Sequence, residues 1–163
     1  MRFAIERAVD AVGRAASWLT FAIVVLMATN VILRYLFSIG SVWSQELEWH
    51  LLAPLILFGI PYALLKGEHV RVDVLYARFP PRVQAWIDLA SQLLCIAIAV
   101  AFVWLSLKYV QQSYVIGEGS ADPGGLPYRW ALKALIPLGF ALLALQAVAS
   151  LLEAVERLRR PAR

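Results

Sequence analysis

Cysteine is nearly missing from this chain. The one thiol, Cys95, lies inside an apolar run, so no intramolecular disulfide can form and a site of several thiolates is excluded. Histidine is almost as scarce. His50 and His69 stand 19 residues apart, roughly 28 Å along a helix. They fall at opposite ends of one apolar run, so within one chain they cannot clamp a metal or a haem. Neither forms part of the His, nucleophile and acid set that a hydrolytic triad needs. A Walker-type glycine loop and a dithiol are also lacking. Charge is the third shortage: 16% of the 163 residues are Asp, Glu, Lys or Arg, where a soluble domain averages roughly 25%. No enzymatic role, cofactor or metal is expected.

What the chain has instead is apolar length. Hydrophobic residues make up 61%, and the mean hydropathy is +0.71. Ala15–Leu33, Leu89–Leu107 and Ala134–Leu152 are each 19 residues without a charge. At about 1.5 Å per residue, such a run crosses a hydrocarbon core of about 30 Å. A fourth run, Leu51–Leu65, is shorter but crosses if its helix starts near Gln45. Pro54 and Pro61 lie inside it, and each removes a backbone hydrogen bond, so a kink or a supported break is expected. The first run is too long for a signal-peptide core and no small-x-small cleavage site follows it, so it reads as a retained span. The predicted architecture is an all-α integral membrane domain over 1–163, with spans at about 13–37, 45–65, 84–108 and 129–153. A short amphipathic helix is expected at about 70–79. Val72, Leu75, Tyr76 and Phe79 form its apolar stripe, and it would lie in the membrane interface. The alternation from Val70 to Val74 also fits a strand, but a lone strand there leaves its edges unpaired. Pro80-Pro81 ends the segment.

All six tryptophans fall near run ends, where interfacial belts form. The basic residues divide unevenly. Eleven of the 15 lysines and arginines lie in the N-terminal lead, the connector after Leu65 and the tail. The other four are Arg34, Lys108, Arg129 and Lys133. By the positive-inside rule both termini and the connector are cytoplasmic. The net charge of +4 thus reads as membrane orientation, with lipids as partners, rather than as a nucleic-acid surface.

The unusual polar residues sit at the two mouths of the second run. Arg34, Glu46 and Glu48 lie near one mouth. Arginine at depth is costly unless it snorkels or pairs, so a bond from Arg34 to Glu46 or Glu48 is expected to join the first two helices. Ser44 is the expected N-cap of the second, with both acids in its first turn. At the other mouth Gly67 is expected to end the helix in the left-handed conformation. His69, Arg71 and Asp73 follow it, either as a fixed corner that anchors the interface helix or a partner, or as a solvated amphipathic rim. Gly117–Gly125 reads as an exposed loop. Small residues at Ala97 and Ala101, Ala141 and Ala144, and Gly59 and Ala63 allow close helix approach. Asn30, Gln92 and Gln146 read as interhelical hydrogen-bonding residues, because no run carries a charge at its centre.

Several stretches together are familiar: Arg34-Tyr35-Leu36-Phe37, Trp43-Ser44-Gln45-Glu46-Leu47, Gly67-Glu68-His69-Val70-Arg71-Val72-Asp73, Leu126-Pro127-Tyr128 and Ile136-Pro137-Leu138-Gly139. In this order the chain resembles the small membrane subunit of TRAP transporters (tripartite ATP-independent periplasmic transporters, DctQ-like) from about Ala15 to Leu152. Gln45 stands where that family often has a second acid. The resemblance implies a four-span scaffold in the bacterial inner membrane, bound to a large membrane subunit that carries the substrate and sodium sites. It also implies a periplasmic solute-binding protein that captures the substrate, usually an organic acid. It marks Trp43, Pro137 and Gly139 as structural or partner-facing positions beside Arg34, Glu46, Glu48, Gly67, His69, Arg71 and Asp73. A self-contained four-helix carrier wants a membrane-embedded acid, and a redox subunit wants paired histidines. Neither is visible.

Overall fold

The computed structural model describes residues 2–68 and 76–159. Four helices account for most of them: α1 Arg2–Phe37, α2 Val42–Lys66, α3 Pro81–Val115 and α4 Arg129–Arg159. All four are long and apolar enough to cross a membrane. No strand occurs among the described residues, and the protein is an all-α, multi-pass membrane protein. The helices alternate in direction. One end of the bundle therefore carries the α1–α2 turn and the α3–α4 loop, and the other carries the α2–α3 connector.

The charge-free runs sit inside longer helices. With 36 residues, α1 extends roughly 54 Å, far more than a hydrocarbon core of about 30 Å. The lead before Arg14 is its overhanging first part. There Asp10 bonds Lys66 at the end of α2, 2.7 Å, and Arg14, 3.0 Å. Arg2 reaches Glu153 on α4 at 2.8 Å.

α3 and α4 pack most extensively, α1 packs on α2, and α2 packs on α4. The interior is small and partly polar. On α3 the buried residues are Ala85, Gln92, Ala99, Ser106 and Ser113, one every seven residues. Near the middle, Ala99 clusters with Leu143 and Ala147 of α4 and Leu64 of α2. A strict seven-residue repeat keeps one seam facing a neighbour along the whole helix. Small side chains on that seam let the backbones approach. The large apolar residues point outward instead: Trp18 is 74% exposed, Trp104 66% and Leu94 63%. This is the reverse of a water-soluble bundle, and it suits a solvent of lipid tails.

Two glycines set the close helix contacts. A Cβ on Gly13 would fall within the Tyr62 side chain, and one on Gly139 would lie 2.8 Å from Leu57 Cβ. The expected small faces are placed differently. Ala97 and Ala101 are exposed, and nothing approaches within 4 Å of a Cβ built on Gly59. Both proline-bearing helices run unbroken. α2 continues through Pro54 and Pro61, and α4 through Pro137.

α2 begins earlier than its sequence indicates. Its N-cap is Ser41, in extended conformation, while the Ser44 hydroxyl donates to the Ser41 carbonyl at 2.9 Å. Glu46 and Glu48 consequently fall beyond the first turn. At the far end Gly67 has φ 76°, and Glu68 N–H bonds the Ala63 carbonyl at 3.1 Å. That is a left-handed helix stop, and glycine takes it without a Cβ penalty. His69, Arg71 and Asp73 lie outside the described residues, as does most of the expected surface helix at 70–79. In its described part, the Tyr76 hydroxyl donates to Asp88 at 2.9 Å.

Candidate functional site

Glu46 is the organising residue of one bundle end. Its side chain projects from the start of α2 and is 5% exposed, a rare state for a carboxylate unless it is paired. Its partners come from far along the chain. The Ser120 hydroxyl donates to one carboxylate oxygen, and the Leu126 backbone N–H donates to the other at 2.5 Å. An Arg129 Nη lies 3.7 Å away. Bonds to an ionised acceptor are about twice as strong as neutral ones. The α3–α4 loop is thus clasped onto α2.

The loop is shaped for that clasp. Ser120 N–H bonds the Leu126 carbonyl at 3.0 Å, closing the segment on itself. Asp122 N–H donates to the Ser120 hydroxyl at 3.1 Å, which fixes the side chain. Gly125 is required at its position, since a Cβ there would lie 2.6 Å from a Glu46 carboxylate oxygen and overlap Ser120. Arg129 N–H caps back to the Glu118 carbonyl at 2.9 Å.

A second layer of charge supports the first. The Glu118 carboxylate bonds the Lys133 ammonium. Lys133 also sits 4.0 Å above the Tyr109 ring, and Arg129 sits 5.4 Å above Trp49. The hydrogen bond from Lys133 holds the Glu118 carboxyl below its usual range. A carboxylate so shifted stabilises the folded loop above the unfolded value of about 4.3, and that contribution is lost as pH falls through the lower folded value. Acidification is therefore expected to raise proteolysis of the loop below about pH 4, measured with an acid-active protease. In Glu118→Gln the loop should already be loosened at neutral pH, and that part of the pH response should vanish. A wild-type acid response retained in full by the variant would remove Glu118 as its source.

The predicted pairing of Arg34 is not formed. Both Glu46 oxygens are taken by the loop, and Glu48 accepts from the Asn30 amide at 2.6 Å. Arg34 is exposed and has no ion pair among the described residues. The Asn30–Glu48 bond now joins α1 to α2. Trp43 lies 47% exposed at the start of α2, away from the clasp. Gly139 packs within the chain, on Leu57. Sequence reading missed Ser120, Gly125, Glu118, Arg129 and Lys133. Their one local signal is a pair of basic residues four apart opening a helix after a glycine-rich loop that carries its own acid.

Among the described residues no group of three or more His, Cys, Asp or Glu is placed to hold a metal. At the opposite end a polar cavity of about 440 Å³ is lined by Arg2, Lys66, Asp88, Gln92, Gln146 and Glu153. The carboxylates around the clasp accept bonds from loop donors and neighbouring cations. Such an arrangement positions backbone.

Residues 23–157 match the family described as "Tripartite ATP-independent periplasmic transporters, DctQ component". The chain belongs to the DctQ family. It is 32% identical over 101 residues to a C4-dicarboxylate TRAP transporter small permease protein DctQ from Pseudomonas aeruginosa, a stretch covering 61% of this chain and 48% of that one. It is 30% identical over 88 residues to the protein of the same description from Vibrio cholerae, covering 54% of this chain and 38% of that one. The match thus spans about half the length, or less, of these two curated relatives. A third likeness, 26% over 118 residues, is to the sialic acid TRAP transporter permease protein SiaT of Haemophilus influenzae. It covers 72% of this chain but only 18% of SiaT.

Proposed function

We propose that this DctQ-family protein is the small membrane subunit of a TRAP transporter, a rigid brace for a much larger transport subunit. One observation carries the reading. The Glu46 carboxylate, the most buried acid described, serves to fasten the α3–α4 loop to α2. Buried acids in transporters commonly mark an ion or proton path, and this one already has its bonds filled by loop donors. The likeness to a stretch making up 18% of SiaT supports a unit that works attached to a larger permease. On this reading the partner supplies the substrate and coupling-ion sites. The assembled system imports an organic acid, driven by sodium and delivered by a periplasmic binding protein. The brace catalyses no reaction.

The orientation belongs to the same proposal. Both termini lie in the cytoplasm of a bacterial cell with the protein in its inner membrane, and the Glu46 clasp faces the periplasm, near where the binding protein docks. The uneven spread of lysine and arginine supports this.

Four measurements test it. The tagged protein is expected to co-purify with a large multi-span membrane protein. Uptake is expected to fall to background when this chain is deleted, although the large subunit still inserts. Substrate uptake by this chain alone in proteoliposomes would overturn the brace. A periplasm-active reporter fused after Arg163 is expected to stay inactive, and activity there would reverse the orientation.

A further inference from the structure

We infer that a groove beside the clasp is a binding site for one phospholipid. α2 and α3 flank α4 on either side, leaving a groove of about 300 Å³ between them. Its floor is Leu132 and Ile136 of α4, and its α2 wall is Ala53 and Leu57. Trp49 and Tyr109 flank the upper part and stay 40% and 50% exposed. The polar end is made by Arg129, Lys133 and Glu118. The groove is therefore apolar towards the middle of the span and cationic at the interface, with aromatic sides at headgroup depth.

Arg129 points to an anion. Its guanidinium makes no hydrogen bond among the described residues, and Nε is enclosed without a partner. The nearest carboxylate, Glu46, is 3.7 Å away and already accepts from Ser120 and Leu126. A guanidinium carries five donors in a planar fork that matches a phosphate oxyanion. Glu46 beside Arg129 and Glu118 beside Lys133 balance the two cations, so a phosphodiester is recognised by the unfilled guanidinium donors rather than by net charge.

The apolar floor decides between ligands of like charge. At about 30 Å³ per water-sized group, the groove holds roughly ten such groups. That is room for a phosphate and the first methylenes of one acyl chain. Inorganic phosphate would leave the Ala53, Leu57, Leu132 and Ile136 surface unfilled. The site takes its ligand sideways from the leaflet on the Glu46 side. A lipid there ties α2 and α3 together across a gap that side chains do not fill. The inference does not depend on the proposed transport role.

The test uses the full chain, purified in detergent, stripped of bulk lipid and titrated with palmitoyl-oleoyl phosphatidylglycerol. Native mass spectrometry reads the adducts. One saturable adduct per chain is expected. Diacylglycerol with the same chains, and inorganic phosphate, should each bind at least roughly tenfold more weakly, since each makes only part of the contacts. Arg129→Ala should weaken the lipid by roughly tenfold to a hundredfold. Ala53→Trp fills the groove and leaves both cations in place, so it decides the question if the arginine variant fails to fold; it too should abolish the adduct. Equal binding of diacylglycerol and phosphatidylglycerol, or an unchanged adduct in Ala53→Trp, overturns the site. So does loss of the adduct when the chain is co-expressed with the large subunit, which would make the groove a protein contact.

Discussion

Glu46→Gln is expected to lower the thermal midpoint of the purified protein by roughly 5–10 °C and to expose the 117–128 loop to protease. The substitution keeps the side-chain shape but removes the charge and one acceptor oxygen. The Ser120 hydroxyl, the Leu126 N–H and the Arg129 guanidinium all converge on that carboxylate. A glutamine satisfies one of the two hydrogen-bond donors and places its own NH2 against the other. Leaving a buried donor unsatisfied costs more than an average hydrogen bond contributes. Ser120→Ala should have a smaller effect in the same direction, because the Leu126 bond survives. Arg34→Gln should move the midpoint by less than roughly 1–2 °C, since that side chain is exposed and makes no ion pair among the described residues. A Glu46→Gln protein with a wild-type midpoint and an unchanged digestion pattern would show that the loop is held by something else.

Gly13→Ala is the second large effect. The added methyl falls within the Tyr62 side chain, 2.5 Å from its Cβ. That atom cannot swing away without moving α2, so α1 and α2 must separate. Overpacking of this kind costs about 1–3 kcal/mol, or roughly 2–10 °C in midpoint for a domain of this size. The double variant Gly13→Ala with Tyr62→Ala should recover part of the loss, as expected of residues in direct contact. Gly59→Ala is the contrasting case. Nothing lies within 4 Å of its added methyl, and alanine is the better helix former by about 1 kcal/mol, so the midpoint should hold or rise. Should both glycine variants behave alike in differential scanning fluorimetry, the α1–α2 contact through Gly13 would not be the close one.

These two results mark where sequence reading succeeds and where it stops. The four apolar runs are legible because span length and freedom from charge are local properties, set by the thickness of the bilayer. The left-handed stop at Gly67 is legible for the same reason: the end of an apolar run followed by glycine is a local pattern. The start of α2 was misplaced by a few residues. Ser41 and Ser44 are both acceptable caps, and only the backbone path from α1 chooses between them. Of the small-residue faces, Ala144 packs on the core, while Ala97, Ala101 and Gly59 stay open, because glycine and alanine are spread over all sides of these helices. Composition cannot show which side meets a neighbour. In α3 the decisive pattern, Ala85, Gln92, Ala99, Ser106 and Ser113, hides among larger apolar residues that face lipid.

From the sequence alone came the four apolar runs long enough to cross a membrane, their order, and the low share of charged residues. These follow from hydropathy and from residue types that are either present or not. Tertiary structure decided how the charges pair. Glu46 has Arg34 nearby in the chain, yet it takes Ser120 and Leu126, 74 and 80 positions away. A loop folding across the bundle end brings two aligned donors into a space with little water, and those bonds are worth more than a solvated ion pair at the surface.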